Sequence, residues 1–192
     1  MALKATKQKR YTPEEYLVLE EKAEFRSEFD DGIIVAMAGG SLNHQQITAN
    51  LTGFLDVKIR KKGFRVLPTE MKVWVESYRK FYYPDVTIVC DKPKFYKNRD
   101  DAIVNPKLLI EVISKSTEAK DRGEKFNAFQ TLESVEEYIL VTQDKVLVEK
   151  FTKQNDGSWR YLAIIGLDSE IYFDSVQESL KLSEVYDLVE FK

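Results

Sequence analysis

We predict that the fold is organised around residues 106–126, PKLLIEVISKSTEAKDRGEKF. Within this segment, the run LLIEVI at residues 108–113 is apolar except for Glu111, and a continuous apolar run of this length is typical of a strand covered on both faces. An ionised carboxylate is costly to bury unless it pairs with a cation or binds a metal. We therefore predict a buried central strand over residues 108–113, with Glu111 as a candidate site residue.

A second acidic residue stands near the start of another apolar run. Residues 82–90, YYPDVTIVC, predict a strand with Asp85 just inside it, because Pro84 is tolerated only at the first residue of a strand or on an edge. If the strands that carry Asp85 and Glu111 are neighbours, both carboxylates can converge on one Mg²⁺ or Mn²⁺ ion at one end of the sheet. Such an ion would polarise a phosphate and lower the pKa of a bound water, which is the chemistry of phosphodiester hydrolysis.

Composition restricts the classes of protein to which the chain can belong. Its 192 residues, 43% of them hydrophobic, can bury one sizeable core, and we predict a single domain over residues 12–192 after a basic tail at residues 1–11. A formal net charge of −3 argues against nonspecific coating of nucleic acids. One cysteine cannot form an internal disulfide, and no apolar stretch approaches the roughly 18 residues of a membrane span. We therefore expect a cytoplasmic protein without a membrane partner.

Two further candidate site residues lie N-terminal to these strands. Glu28 falls on the first strand of a hairpin whose turn is Asp31-Gly32, and it is either an exposed strand acid or a site residue. His44, the only histidine, lies in the first turn of a long helix predicted between Ser41 and Gly63. It shares an apolar stripe with Ile47 and should point toward the sheet, so it is either a satisfied core residue or a ligand.

The residues after Glu111 predict a helix and the rest of the sheet. Ser114 to Thr117 offers caps for a helix that runs to about Leu132. On this helix Lys125 borders the apolar stripe, so its ammonium group can reach over the sheet edge, and the alternative is a surface ion pair with Asp121. Further elements are predicted at residues 137–142, 145–152 and 159–165 as strands and from about Ser183 as a closing helix. The whole pattern indicates a mixed α/β domain with a central sheet.

The ordered set of these residues resembles a known superfamily. Tyr83-Pro84-Asp85, then residues 110–114, then Thr117, Asp121 and Lys125 are similar to the motifs of PD-(D/E)xK nucleases. More narrowly, the combination resembles the Uma-type family of restriction-endonuclease-like proteins, because the hairpin with Glu28, the helix with His44 and the stretch 137–141 match as well. The resemblance covers most of residues 12–165.

The resemblance implies a restriction-endonuclease-like fold, a central mixed β-sheet flanked by helices, and metal-dependent DNA cleavage. In that family Asp85 and Glu111 would be ligands of Mg²⁺ or Mn²⁺, and Asp85, Glu111 and Lys125 would be the catalytic residues. DNA is the expected partner, and a homodimer is an alternative to a monomer.

The chain departs from the superfamily pattern at one position. The lysine expected two residues after the second acid is replaced by Ile113, so Lys125 on the next helix is the natural substitute and Lys115 the second choice. His44, Glu28 and Lys115 are accessory candidates. If no lysine reaches the metal, the alternative is a catalytically silent nuclease fold that binds nucleic acid or protein, and a metal-dependent phosphohydrolase of small nucleotides would use the same acids.

Overall fold

The run around Glu111 forms the buried strand that its apolar character predicts. In the computed structural model, which describes residues 9–191, Leu108–Ile113 is a strand in which all six residues are buried. Alternate side chains enter different cores, because Leu108, Ile110 and Val112 pack on one face while Leu109 and Ile113 pack on the other. Glu111 therefore projects from the same face as Leu109 and Ile113.

The strands, numbered in chain order, are β1 (Ser27–Asp30), β2 (Ile33–Ala36), β3 (Phe64–Pro68), β4 (Lys72–Val75), β5 (Lys80–Tyr82), β6 (Val86–Cys90), β7 (Ala102–Ile103), β8 (Leu108–Ile113), β9 (Glu137–Thr142), β10 (Leu147–Lys153), β11 (Trp159–Ile165), β12 (Glu170–Phe173) and β13 (Glu178–Lys181). The α-helices are α1 (Pro13–Glu20), α2 (Leu42–Ile59), α3 (Phe126–Phe129) and α4 (Leu182–Val185). Short 3₁₀ turns occupy Arg60–Lys62 and Glu76–Tyr78, and a π-helical segment, Lys120–Lys125, leads directly into α3.

The main sheet has the strand order β11-β10-β9-β8-β6-β3. Only β8 and β9 are parallel in it, and the other neighbours are antiparallel. The apolar stripe of α2, which includes Ile47, Leu51 and Leu55, covers one face, and Phe129 of α3 packs on the opposite face. This mixed sheet between helices confirms the predicted fold class.

A second sheet, with the order β2-β1-β5-β4-β7, corrects one prediction. Residues 82–90 do not form a single strand: the chain leaves β5 in the second sheet at Tyr82 and enters the main sheet at Val86. Pro84 supplies no backbone N–H and cannot continue a ladder, which explains the break. Asp85 consequently lies just before β6 rather than inside a strand, at the junction of the two sheets.

The predicted turn at Asp31-Gly32 and the predicted helix end at Gly63 are confirmed, and α1 has a side-chain cap at its start. The Thr12 hydroxyl accepts the Glu15 N–H at 3.1 Å and the Glu15 carboxylate accepts the Thr12 N–H at 2.8 Å, which is a capping box for α1. Asp31 and Gly32 have φ of 39° and 97°, as a two-residue hairpin turn of this type requires. Gly63 ends the helical region of α2 with φ of 87°.

The N-terminal tail is described only in part. Residues 1–8 of the predicted tail lie outside the described residues. Tyr11 donates its N–H to the Gly32 carbonyl at 2.9 Å, and the Arg10 guanidinium donates to the Asp31 carbonyl at 3.0 Å. The end of the predicted tail is thus hydrogen-bonded to the hairpin turn.

The C-terminal third contains a hairpin that the sequence pattern did not predict, β12 and β13. Its residues Ile171, Phe173 and Leu180 are buried in the core on the α2 face. The predicted strand from residue 145 begins at Leu147, and the predicted closing helix is the single turn α4. Within residues 9–191, no helix combines the length and apolar character needed to cross a membrane.

Candidate active site

Asp85 and Glu111 come together because β6 and β8 are hydrogen-bonded neighbours. The antiparallel register pairs Val86 with Ile110, so one further step places Asp85 across from Glu111. Asp85 is also tied directly to β8, since its Oδ2 accepts the Val112 N–H at 2.7 Å. The structure therefore brings both predicted acids to the same end of the main sheet, on adjacent chain segments.

The hydrogen bonds of Asp85 leave one of its oxygens uncommitted. Oδ2 takes both the Val112 N–H and His44 Nε2, the latter at 3.1 Å. Among residues 9–191, no protein group donates to Oδ1. With two donors fixing Oδ2, the orientation of the carboxylate is set and Oδ1 is the atom available to a ligand.

Glu111 is the centre of a buried ionic cluster. Lys125 Nζ lies 2.9 Å from Glu111 Oε1, 3.2 Å from Asp121 Oδ1 and 3.7 Å from Glu28 Oε1. Lys120 makes a second ion pair with Glu28. Glu28, Glu111 and Asp121 are each no more than 5% exposed, so three buried carboxylates face two ammonium groups. We call these five residues the carboxylate cluster; its acids outnumber its bases, and Asp85 adds a further negative charge beside it.

The π-helical segment explains how Lys125 reaches Glu111 from outside the strand. A π-turn inserts one extra residue into a helix and rotates the side chains that follow it, and such segments are frequent at functional sites. Here the segment runs from Lys120 to Lys125, and both Asp121 and Lys125 within it are buried. A lysine of the following helical segment, Lys125, thus contacts Glu111, while the strand position two residues after Glu111 is Ile113.

The charges of the cluster shift the pKa values of its members in predictable directions. Burial raises the pKa of Glu111 well above its ordinary value; the Lys125 ammonium opposes this, and the charges of Asp121 and Asp85 add to it. Burial lowers the pKa of Lys125, but the surrounding carboxylates outweigh it and hold the pKa well above its ordinary range. The lysine thus stays charged, while Glu111 takes up a proton more readily than an ordinary glutamate.

His44 is oriented by the first turn of α2. The Ser41 hydroxyl caps the helix by accepting the His44 N–H at 3.2 Å, and the ring points inward to Asp85, as its place on the apolar stripe predicts. Its Nδ1 is buried without a hydrogen-bond partner among the described residues. Burial lowers the pKa of the imidazole, but the hydrogen bond to Asp85 and the Asp85 charge outweigh it, so the pKa is raised.

Lys115 does not join the carboxylate cluster. Its side chain is exposed and lines a cavity of about 110 Å³ together with Ser114, Glu118 and Asp144, past the end of β8. Two alternatives weighed from the sequence are wrong: Glu28 is a buried strand acid rather than an exposed one, and the Asp121–Lys125 pair is buried rather than on the surface. Lys120, which pairs with Glu28, was missed. It lies in the π-helical segment, which changes the positions that share one face of the helix.

Comparisons with known proteins identify the family of the chain. Residues 13–183 match the Uma2 family, described as "Putative restriction endonuclease". The chain belongs to the Uma2 family. Two uncharacterized Synechocystis proteins resemble it: sll1609 is 35% identical over 162 residues, which is 84% of this chain and 92% of that protein, and slr1290 is 34% identical over 151 residues, 79% and 78% of the two chains.

A crystal structure of a protein from Anabaena variabilis, described as a putative nuclease belonging to DUF820, has a similar fold. It superposes with a TM-score of 0.76 over 94% of this chain and 99% of its own length, at 15% sequence identity. At that identity the likeness shows the fold. The Uma2 description and the nuclease-type fold together support a nuclease-type function.

The candidate site of this Uma2 protein suits a divalent cation that keeps part of its water shell. Within residues 9–191, no three His, Cys, Asp or Glu side chains are grouped as a set able to hold a metal on their own. Mg²⁺ does not require such a cage, because it is usually bound by one or two carboxylates, several waters and substrate phosphate oxygens. Asp85 and Glu111 provide two carboxylates from paired segments in a site with excess negative charge. This donor set suits a hard, hydrated cation.

The raised pKa of Glu111 predicts how stability depends on pH. The folded protein binds a proton at Glu111 more tightly than the unfolded chain, whose Glu pKa is near 4.5. Stability from this group is therefore full below pH 4.5 and is lost as pH rises through the folded-state pKa. Without divalent cations, the unfolding free energy of wild type relative to Glu111→Gln should fall as pH rises from 4.5. Urea titrations across this range measure it, and a difference that stays flat or rises would contradict the raised pKa.

Proposed function

We propose that this Uma2 protein is a Mg²⁺- or Mn²⁺-dependent DNA endonuclease of the PD-(D/E)xK type, with its lysine displaced to the following helix. The observation that carries the proposal is the meeting of three groups from separate elements: Asp85 before β6, Glu111 in β8 and Lys125 in the π-helical segment, with Nζ 2.9 Å from Glu111 Oε1. Perturbed, buried acids with a specific charge partner are typical of functional sites.

In the proposed reaction Asp85 and Glu111 would hold the cation, Asp85 through Oδ1, since Oδ2 is occupied by the Val112 N–H and His44. A bound divalent ion supplies Lewis-acid stabilisation of phosphate charge and a water of lowered pKa. His44 and Val112 keep the Asp85 carboxylate in one orientation. Glu111 and Lys125 are buried, whereas the side chains of Asp85 and His44 are 14% and 18% exposed. DNA would approach from the side of Asp85 and His44.

Lys125 has two roles in this proposal. Its ammonium neutralises Glu111 and Asp121 in the metal-free protein, which allows three carboxylates to be buried together. In the proposed reaction Lys125 Nζ–H would donate to the phosphate oxygen or to the attacking water, where negative charge develops. The charge stays fixed on Nζ because the pKa of Lys125 is well above its ordinary value. Lys125 therefore acts as an electrostatic group rather than as a base.

Cleavage of supercoiled plasmid DNA in Mg²⁺ or Mn²⁺ tests the proposal. Wild type should nick or linearise the plasmid. Glu111→Gln should cleave it at least about 100-fold more slowly, because a bound metal lowers the activation barrier by several kcal/mol and each 1.36 kcal/mol changes the rate tenfold. Glu118→Gln is the matched control, because it makes the same change at an exposed acid after the end of β8. Its cleavage rate should equal that of wild type. Equal rates for wild type and Glu111→Gln would contradict the proposal.

One observation favours a second candidate, a nuclease fold that binds nucleic acid without cutting it. Lys125 already satisfies Glu111 as a purely structural ion pair would. In that case wild type should slow the migration of a plasmid in a gel-shift assay with Mg²⁺ and leave the plasmid uncut. Glu111→Gln should bind the plasmid equally well. Plasmid cleavage by wild type, with plasmid binding that is lost in Glu111→Gln, would exclude this candidate.

A further inference from the structure

The short segment before α2 contains two consecutive glycines, Gly39 and Gly40, whose surroundings differ sharply. A Cβ built on Gly40 would lie 2.7 Å from His44 Nδ1, 2.9 Å from Gln45 Nε2 and 3.0 Å from His44 Cγ. A Cβ built on Gly39 would meet nothing within 4 Å. The imidazole of His44 therefore lies directly against the Gly40 backbone, in space that a side chain would occupy.

Backbone conformation does not explain the glycine at position 40. Among the described glycines, only Gly32, Gly63, Gly157 and Gly166 have positive φ. Neither Gly39 nor Gly40 has the positive φ that favours glycine, and both are exposed at the surface. What distinguishes Gly40 is the ring that packs on it.

The position of that ring decides whether His44 can act as the second donor to Asp85, beside the Val112 N–H. His44 Nε2 lies 3.1 Å from Asp85 Oδ2, while Nδ1 faces Gly40, buried and without a partner among residues 9–191. Since the His44 N–H is fixed to Ser41 and its carbonyl accepts the Thr48 hydroxyl at 2.9 Å, the backbone of His44 is held. A contact at Nδ1 and Cγ can then be relieved only by turning the ring about its side-chain torsions, which carries Nε2 away from Asp85.

We infer that Gly40 is a positioning residue for the site: its missing side chain leaves the space in which the His44 ring lies against the backbone and holds Asp85 Oδ2. Gly40 acts through His44, and His44 acts through Asp85. The consequence for cation binding rests on the proposed function, whereas the placement of the ring does not.

The test uses the fact that the chain has one histidine, so its imidazole resonances report on one residue. Long-range ¹H–¹⁵N spectra of the metal-free protein, recorded at a pH where the ring is neutral, should show wild-type His44 with the proton on Nε2 and slow exchange of that proton. Gly40→Ala should lose this protected signal and give the tautomer mixture of a free histidine. Gly39→Ala, the same methyl one residue away, should keep the wild-type spectrum.

A metal titration adds a second readout. Removal of a group that orients a metal ligand typically lowers metal affinity by 10–100-fold. Gly40→Ala should weaken Mn²⁺ binding by about that factor in titration calorimetry, and Gly39→Ala should not. In a His44→Ala background, Gly40→Ala should cause no further loss, because the ring it displaces is gone. In this double variant the only one of the three nearest contacts left to the Gly40→Ala methyl is the end of the flexible Gln45 side chain, so the variant should fold even if Gly40→Ala alone folds poorly.

The outcomes separate the two proposals. A wild-type imidazole spectrum in Gly40→Ala, an equal change in Gly39→Ala, or an added loss in the His44→Ala background would each overturn the role of Gly40. If the spectra change as expected but no variant, wild type included, binds Mn²⁺, the role of Gly40 in placing His44 stands and the metal-site proposal falls.

Discussion

Lys125→Met is expected to lower the melting temperature of the metal-free protein by roughly 6–20 °C. Lys125 Nζ lies within 3.7 Å of carboxylate oxygens of Glu28, Glu111 and Asp121, all buried. Removal of one partner from a buried ion pair costs about 3–5 kcal/mol, because the other charge is left uncompensated. For a chain of this length, each kcal/mol corresponds to about 2–4 °C. Methionine keeps the length of the apolar stem, so the loss measured by scanning calorimetry reports on the charge.

Two further variants give this prediction its controls. Lys115→Met makes the same change at an exposed lysine outside the carboxylate cluster, and surface substitutions of this kind stay within about 0.5 kcal/mol. Lys125→Met combined with Glu111→Gln should recover part of the lost stability, because one of the uncompensated carboxylates is then neutral. If Lys125→Met melts like Lys115→Met, Lys125 is not the counter-ion of the cluster.

The role of Lys125 in stability changes how its role in catalysis must be measured. Loss of activity in a Lys125 variant reports on chemistry only where the protein is still folded. Rates for Lys125→Met should therefore be compared with wild type below the melting temperature of the variant and with saturating Mn²⁺. Under those conditions a lower rate with unchanged Mn²⁺ affinity would assign the lysine to the reaction.

Much of the fold follows from local signals that the sequence displays openly. The run around Glu111, the Thr12–Glu15 capping box and the Asp31-Gly32 turn each determine their element through short-range chemistry. The β12–β13 hairpin was missed because each strand has only four residues and its apolar side chains become significant only against the α2 core. The division of residues 82–90 between two sheets was also missed, although Pro84 marks the break.

The sequence predicted most residues of the candidate site but not the contacts between their side chains. A carboxylate inside an apolar strand singled out Glu111, and a carboxylate near the start of another apolar run singled out Asp85. Glu28, His44 and Lys125 were candidates from their places in predicted elements, and the resemblance supplied the catalytic and metal-binding roles. The four-residue spacing indicates the pair of Lys125 with Asp121, but no local spacing reveals that Lys125 also contacts Glu28 and Glu111, which lie on separate strands. The contact between Gly40 and His44 likewise depends on side-chain orientation, which a one-dimensional pattern does not contain.

If Asp85 and Glu111 bind a divalent cation, Mn²⁺ should raise the thermal stability of the protein, and this can be measured without a DNA substrate. A cation that binds only the folded state at one hundred times its Kd stabilises by about 2.7 kcal/mol, which corresponds to about 5–10 °C for this chain. Glu111→Gln removes one buried charge at nearly constant volume. Its metal-free form should melt at the wild-type temperature or higher, since Lys125 retains Asp121 and Glu28.

The measurement is scanning calorimetry of wild type, Glu111→Gln and the exposed control Glu118→Gln, each with a chelator and with saturating Mn²⁺. We predict a rise of about 5–10 °C in wild type and Glu118→Gln and a much smaller rise in Glu111→Gln. A rise of equal size in wild type and Glu111→Gln would place the cation elsewhere and contradict the assignment of Glu111 as a metal ligand.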